Sequence, residues 1–271
     1  MTDLVLTSPK ASRLDHLRLY VGLHQPSDAQ HFDRAFISVN RLRGRKKAVA
    51  AGEWIMDSGA FTEIATHGRY RTGVEEYAAE IGRWAHPGSG LVAAVAQDWM
   101  CEPWIVEKTG LSVEAHQRLT IERYDALLLL VRGVYVMPVL QGYAVADYLR
   151  HLAAYGGRLG SGAYVGVGSV CKRNVNVASV EGILLAIQRA RPDLRLHGFG
   201  LKATALSSAL VRDALYSADS MAWSFAARRQ GRNANDWREA RRWADGIAAQ
   251  SVQLGWAFRR MLMVCEAGCG L

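Results

Sequence analysis

Short apolar runs that stop at a carboxylate, an amide or a glycine recur along this chain, and stretches with helical spacing fill the intervals between them. Leu91-Val92-Ala93-Ala94-Val95-Ala96 is apolar throughout, as a parallel strand covered on both faces must be, and it ends at Gln97-Asp98. Trp54-Ile55-Met56 ends at Asp57 and a small-residue turn, Ser58-Gly59-Ala60. The same reading predicts strands over 17–23, 35–40, 53–57, 91–96, 135–140 (ending at Gln141-Gly142), 164–168, 194–201 and 220–224. Helices are predicted over 73–84, where Val74, Tyr77, Ala78 and Ile81 share a face, and over 112–131 with Ser112 as N-cap. Further helices are predicted over 145–155, 179–190 and 205–216, with a closing helical region over 235–264 broken near Gly246 or Gly255. Strand and helix in regular alternation make an α/β protein, either a (β/α)8 TIM barrel or a doubly wound sheet. Seven or eight strands without a clean midpoint favour the barrel, as a single domain over 1–271 with C-terminal helices packed on it.

The chain's 271 residues suit such a barrel, and half of them are apolar, enough for a large core. No apolar run approaches the length of a membrane span, and Met1-Thr2-Asp3-Leu4 lacks a basic-then-apolar leader pattern. A cytoplasmic protein is expected, in the host cytoplasm if phage-encoded. The net charge of +8 and pI near 9.5 fit a polyanionic partner. Two basic clusters are candidate phosphate contacts: Arg41, Arg43, Arg45, Lys46 and Lys47 after the second strand, and Arg228, Arg229 and Arg232, with Arg238, Arg241 and Arg242 following. Four cysteines are too few for a disulfide framework. Cys101 and Cys171 read as free thiols near strand ends, and Cys265 and Cys269 lack the further ligands a zinc site needs, so no metal is expected.

On a barrel, polar groups at strand C-termini converge on one pocket. The candidates are Asp57, Asp98, Gln141 and Asp219, with Gly166, Gly168, Gly198 and Gly200 leaving room. Two carboxylates in one pocket suit glycosidic-bond chemistry, one attacking the sugar carbon and one moving protons. An Asp beside a Gln suits a purine edge, the carboxylate accepting from N1–H and N2–H2 and the amide donating to O6. No catalytic Ser-His-Asp spacing, H-E-x-x-H, Walker loop or dinucleotide fingerprint is present.

Asp57-Ser58-Gly59-Ala60-Phe61 resembles the D-S-G-G-F motif of the tRNA-guanine transglycosylase superfamily. Gln97-Asp98, Leu140-Gln141-Gly142, Val165-Gly166-Val167-Gly168, Gly198-Phe199-Gly200 and Ala218-Asp219-Ser220-Met221 follow in that superfamily's order, over roughly residues 54–224. Ala60 replaces a glycine of the motif, Ala163-Tyr164 replaces a double glycine, and the zinc-site cysteines are missing. A short, zinc-less version is similar to the DNA-guanine transglycosylases of DpdA type, from bacterial and phage 7-deazaguanine DNA-modification systems.

The resemblance implies exchange of guanine in DNA for a 7-deazaguanine base such as preQ0, without a cofactor. Asp219 then matches the nucleophile and Asp57 the general acid/base. Asp98, Gln141, Gly142, Gly166 and Gly168 match base-recognition positions, and His197 a side chain against the base face. A buried guanine must be flipped out or met in a single strand, with Trp223 and Phe225 as candidates to stack or wedge. The competing readings are the same exchange on tRNA, a non-catalytic accessory barrel that binds nucleic acid, and an unrelated barrel enzyme acting on a phosphorylated metabolite. A homodimer or modification-system partner proteins remain open.

Overall fold

A computed structural model of the chain describes residues 17–173 and 176–249. The strands are β1 Arg18–Gly22, β2 Arg34–Ser38, β3 Glu53–Asp57, β4 Leu91–Val95, β5 Tyr135–Met137, β6 Val139–Leu140, β7 Tyr164–Val167, β8 Arg195–Gly198 and β9 Ser217–Ser220. All pair in parallel, in the order β5-β4-β3-β2-β1-β9-β8-β7-β6. The two ends of that order are halves of one strand, split at Pro138, which has no N–H to give to a ladder. Met137 accepts from the Ala96 amide at 2.9 Å on the β4 side, and Pro138 accepts from the Gly166 amide at 2.9 Å on the β7 side. The sheet therefore runs round to where it began, as an eight-position α/β barrel.

The helices are α1 Val39–Leu42, α2 Ala60–His67, α3 Val74–Trp84, α4 Pro103–Thr109, α5 Val113–Leu130, α6 Val145–Tyr155, α7 Val177–Ala190, α8 Ala203–Leu206, α9 Ala209–Ala214 and α10 Ala222–Arg229. A further helix covers 237–249. Two apolar layers explain why the strands read as unbroken apolar runs. Tyr20, Ile55, Ala93, Val95, Met137, Val139 and Tyr164 fill the barrel interior. The alternate residues Val21, Ile37, Trp54, Met56 and Ala94 pack outward under the helices. Ser112 caps α5 by accepting from the Ala115 amide at 3.2 Å, and the buried face of α3 is Tyr77, Ala78, Ile81 and Trp84.

Several sequence boundaries need correction. The last strand is Ser217–Ser220, not 220–224; Met221 caps α10, whose buried face carries Trp223 and Ala227, four residues apart. The second strand stops at Ser38, whose hydroxyl caps α1. The predicted helix over 205–216 is two, because the Ser208 hydroxyl accepts from the Val211 amide at 3.2 Å and starts α9. The helices α2 and α4 were not expected. The 237–249 helix passes through Gly246 unbroken, while Gly255, Cys265 and Cys269 lie outside the described residues. Among the described residues no helix is long and apolar enough to cross a membrane.

Candidate active site

Strand parity and register decide what faces the barrel mouth. Ile55 points inward, so Asp57, two residues on, does too, at the C-terminal end of β3. By the same parity Ser217 and Asp219 point inward on β9, and Met137, Val139 and Gln141 along the split strand. A cavity of about 750 Å³ opens there, and its walls include Asp57, Asp98, Gln141, Gly168 and Asp219. Residues far apart in the chain thus reach one chamber.

Asp219 is 5% exposed. Its Oδ1 accepts from the Gly200 amide at 3.0 Å and faces His197 Nε2 at 3.3 Å. Gly200 has φ +62°, a conformation that suits glycine and aims its N–H at the carboxylate. His197 is fully buried, with Nδ1 2.8 Å from the Ser217 hydroxyl and 3.2 Å from the Tyr164 hydroxyl. Its ring stacks on Phe36, with centroids 5.6 Å apart. A carboxylate only accepts, so Nε2–H donates to Asp219 and Nδ1 takes a hydroxyl proton. Oδ2 of Asp219 has no hydrogen bond among the described residues.

Asp57 is fixed from its own turn. Oδ2 accepts from the Gly59 amide at 3.2 Å, and the Ser38 hydroxyl adds a bond across the β2–β3 register. Burial first, and then the charge of Asp219, push its carboxyl up to about 6. The dependence on Asp219 ties the two acids together electrostatically.

Asp98 lies beyond the end of β4, where the chain leaves the sheet. Gln141 Nε2 donates to its Oδ2, and the Ser58 hydroxyl makes a long contact to Oδ1 at 3.5 Å. Burial pushes Asp98 up to about 7, the Gln141 bond opposes this, and Asp57 adds to it. Gln141 has its position because residue 168 is glycine: a Cβ there would lie 2.1 Å from Gln141 Nε2.

The other candidates separate. Gly142 packs on Asp147 and Tyr148, and Gly166 on the Phe199 ring, so neither lines the cavity. His197 lies beneath Asp219 rather than in the cavity wall. Trp223 is core, its Nε1 donating to the Gly22 carbonyl at 2.8 Å, whereas Phe225 is 54% exposed at the cavity mouth. Arg41 lines the cavity, and Arg41 and Arg228 both bear on His24, whose imidazole is held low by burial first and then by these two cations. Arg43, Arg45, Lys46 and Lys47 do not line it; Arg43 bonds Thr72 and Arg45 the Lys47 carbonyl. Arg229 is exposed at the end of α10, and Arg232 pairs with Glu239 at 2.9 Å.

Sequence reasoning missed Glu102, Ser169, Asn40 and Lys202, all in the cavity wall. Among the described residues Asn40 Nδ2 is buried without a hydrogen-bond partner, beside the Gly59 turn. Glu102 lies four residues after Asp98, on the same segment leaving β4, which is the only local signal for it.

The sequence model of the DpdA family, DeoxyPurine in DNA protein A, matches residues 15–260. The chain belongs to the DpdA family. Membership makes it a transglycosylase-type enzyme of DNA modification, with DNA as its substrate. A search of curated proteins found no match.

Proposed function

We propose that the protein exchanges guanine in DNA for a 7-deazaguanine base of the preQ0 type through a covalent deoxyribosyl–Asp219 intermediate. The observation that carries this is the pairing of Asp57 and Asp219 in one cavity with the Asp98–Gln141 pair. Oδ2 of Asp219 is the free carboxylate oxygen, while His197 and the Gly200 amide hold Oδ1 and orient the group. In the first half-reaction Oδ2 bonds to C1′ as the C1′–N9 bond breaks. The electron pair leaves with guanine, and Asp57, raised toward neutrality, gives the departing base its proton. In the second half the incoming base loses its N9 proton to Asp57, N9 attacks C1′, and Asp219 is released. One glycosidic bond replaces another, so no external energy source is required.

The Asp98 carboxylate accepts from N1–H and N2–H2 of guanine or its deaza analogue, and Gln141 donates to O6. The target nucleotide must leave its stack, at a cost of a few kcal/mol. Phe225 is placed to fill the vacated position, and Arg41 and Arg228 to hold phosphates beside it.

The test is a base-exchange assay. Purified protein, guanine-containing DNA and, in parallel, tRNA are incubated with preQ0, and nucleosides are read by mass spectrometry. Deazaguanine in DNA, absent with Asp219→Ala, is the expected result. Incorporation into tRNA alone would overturn the DNA assignment, and exchange that survives Asp219→Ala would overturn the nucleophile.

A further inference from the structure

The Asp98–Gln141 pair does not end at Gln141. Gln141 Oε1 lies 2.7 Å from the Ser169 hydroxyl, and Ser169 Oγ lies 2.8 Å from Glu102 Oε2. Ser169 Oγ also accepts from the Cys101 amide at 2.9 Å. Ser169 has φ 53°, a rarely used conformation for a non-glycine residue, which the surroundings must hold in place. A chain of side chains therefore joins two carboxyl groups, Asp98 at 6% exposure and Glu102 at 2%.

Counting protons along this chain gives a constraint. A serine hydroxyl has one proton, yet Ser169 Oγ touches two acceptor oxygens, Gln141 Oε1 and Glu102 Oε2. With one negative charge shared by the two acids, two arrangements satisfy every contact. In one, Glu102 is protonated and donates to Ser169, Ser169 donates to Gln141, and the amide donates to an ionised Asp98. In the other, the Gln141 amide is reversed: its NH2 donates to Ser169, Ser169 donates to an ionised Glu102, and Asp98 holds the proton. Each arrangement has one proton and one negative charge. Neither acid has an ion-pair partner among the described residues, so a second buried charge would stand uncompensated.

Other groups around the chain do not supply this proton or cancel the charge. Tyr70, Tyr77, Tyr148 and the Cys101 thiol are all pushed up by burial, and the neutral Cys171 thiol donates to Glu102 Oε1 at 4.0 Å without changing the charge. Arg173 is held by the Ser169 and Tyr143 carbonyls, and Arg150 by Asp147 and Glu114. The charge of Asp57 also raises Asp98.

We propose that Glu102 is the proton holder of the base-reading pair: as the Gln141 amide turns over and Ser169 reverses its hydrogen bond, Glu102 gains a proton in balance with the one that Asp98 must give up when it reads a base edge with two donors. This rests on the reading of Asp98 and Gln141 as base contacts. Glu102 is a positioning residue: it sets the charge on Asp98 and the direction of the Gln141 amide. With Glu102 present, a base binds with the proton moved inside the protein. Without it, the proton goes to solvent.

The experiment counts protons released as preQ0 binds, by calorimetry at pH 6 in buffers of different ionisation enthalpy. Wild type, Glu102→Gln, Glu102→Ala and Asp98→Asn are compared. Both Glu102 variants are expected to release more protons than wild type, approaching one more per base. Their affinity should fall several-fold from pH 8 to pH 6, because burial holds the Asp98 carboxyl above the usual carboxylate range, while wild type changes much less. Equal proton counts in wild type and both Glu102 variants, with Asp98→Asn binding weakly, would overturn the proton-holder role alone. Asp98→Asn binding preQ0 as wild type does would instead overturn the base-reading assignment beneath it.

Discussion

The floor of the cavity and its mouth are built by different rules. On the floor, Asp57 and Asp219 extend barrel strands, with parity and register setting where they point and backbone amides of Gly59 and Gly200 fixing them. Around the mouth, Arg41 comes from α1, Phe61 from α2 and Phe225 from α10, with Trp104 of α4 against the Phe61 ring and Arg228 of α10 acting on His24; Phe61, Trp104 and Phe225 are 48%, 42% and 54% exposed. Rigid strand ends hold groups that must be exact to a fraction of an ångström, while short helices and loops carry groups that meet a long, variable polymer. Floor mutations should therefore change the chemical step, and mouth mutations the capture of DNA.

The largest expected effect is on the floor. Asp219→Ala should lower exchange by roughly four orders of magnitude or more, with DNA affinity nearly unchanged, as quench assays and gel shifts would show. Asp57→Asn should cost about 10²–10⁴-fold. In the proposed mechanism Asp57 protonates the departing guanine, and its carboxyl is pushed up to about 6, so wild-type formation of the glycosyl-enzyme should slow as pH rises above about 6. Single-turnover rates across pH 5–8 would show it, and a slope that persists in Asp57→Asn would assign the proton to another group.

Next is Gly168→Ala. The new Cβ must displace Gln141, only 2.1 Å from where it would sit. The KM for the incoming base should rise about tenfold or more, a misplacement cost, while DNA binding stays level. An unchanged KM would mean that Gln141 does not read the base.

How much of this was legible in the chain follows the same division. Asp57 and Asp98 stand out because each ends an apolar run, and a parallel barrel turns that pattern into a place at the mouth. Asp219 stood out as an acid between apolar neighbours, but the strand that carries it was placed too late. Ser217-Ala218-Asp219-Ser220 is too small and polar to read as a strand, and Met221-Ala222-Trp223 drew the boundary too late. Glu102 was invisible because an acid before Pro103 looks like any residue at a helix start; its partner Ser169 is sixty-seven positions away. The basic run from Arg41 to Lys47 was read as one unit, yet only Arg41 reaches the cavity, since the chain turns away after α1. Local sequence sets which residues are charged, and only the path of the loop sets where they point.

At the mouth, Phe225→Ala tests whether an exposed aromatic offsets unstacking. Phe225 contributes little to the core, so melting temperature should barely move. Exchange on duplex DNA should fall about tenfold, and on single-stranded DNA much less, because only the duplex must give up a stacked base pair. Equal losses on both substrates would make Phe225 a contact to the strand rather than a wedge.

The smallest effect is the most direct test of how the mouth is divided. Each phosphate neutralised on duplex DNA adds about 0.9 to the slope of log affinity against log salt. Arg41 and Arg228 act together on His24 and so lie on the same side of the cavity, a consequence of β2 and β9 both flanking β1. Arg41→Ala and Arg228→Ala should each lower the salt slope by about one, weakening binding to all sequences alike. Arg45 is turned back on the Lys47 and Ala48 carbonyls, and Arg45→Ala should leave the slope unchanged. If instead Arg45→Ala lowers it as much as Arg41→Ala, the DNA path runs over the whole loop after α1, and the mouth is wider than the cavity that Arg41 borders.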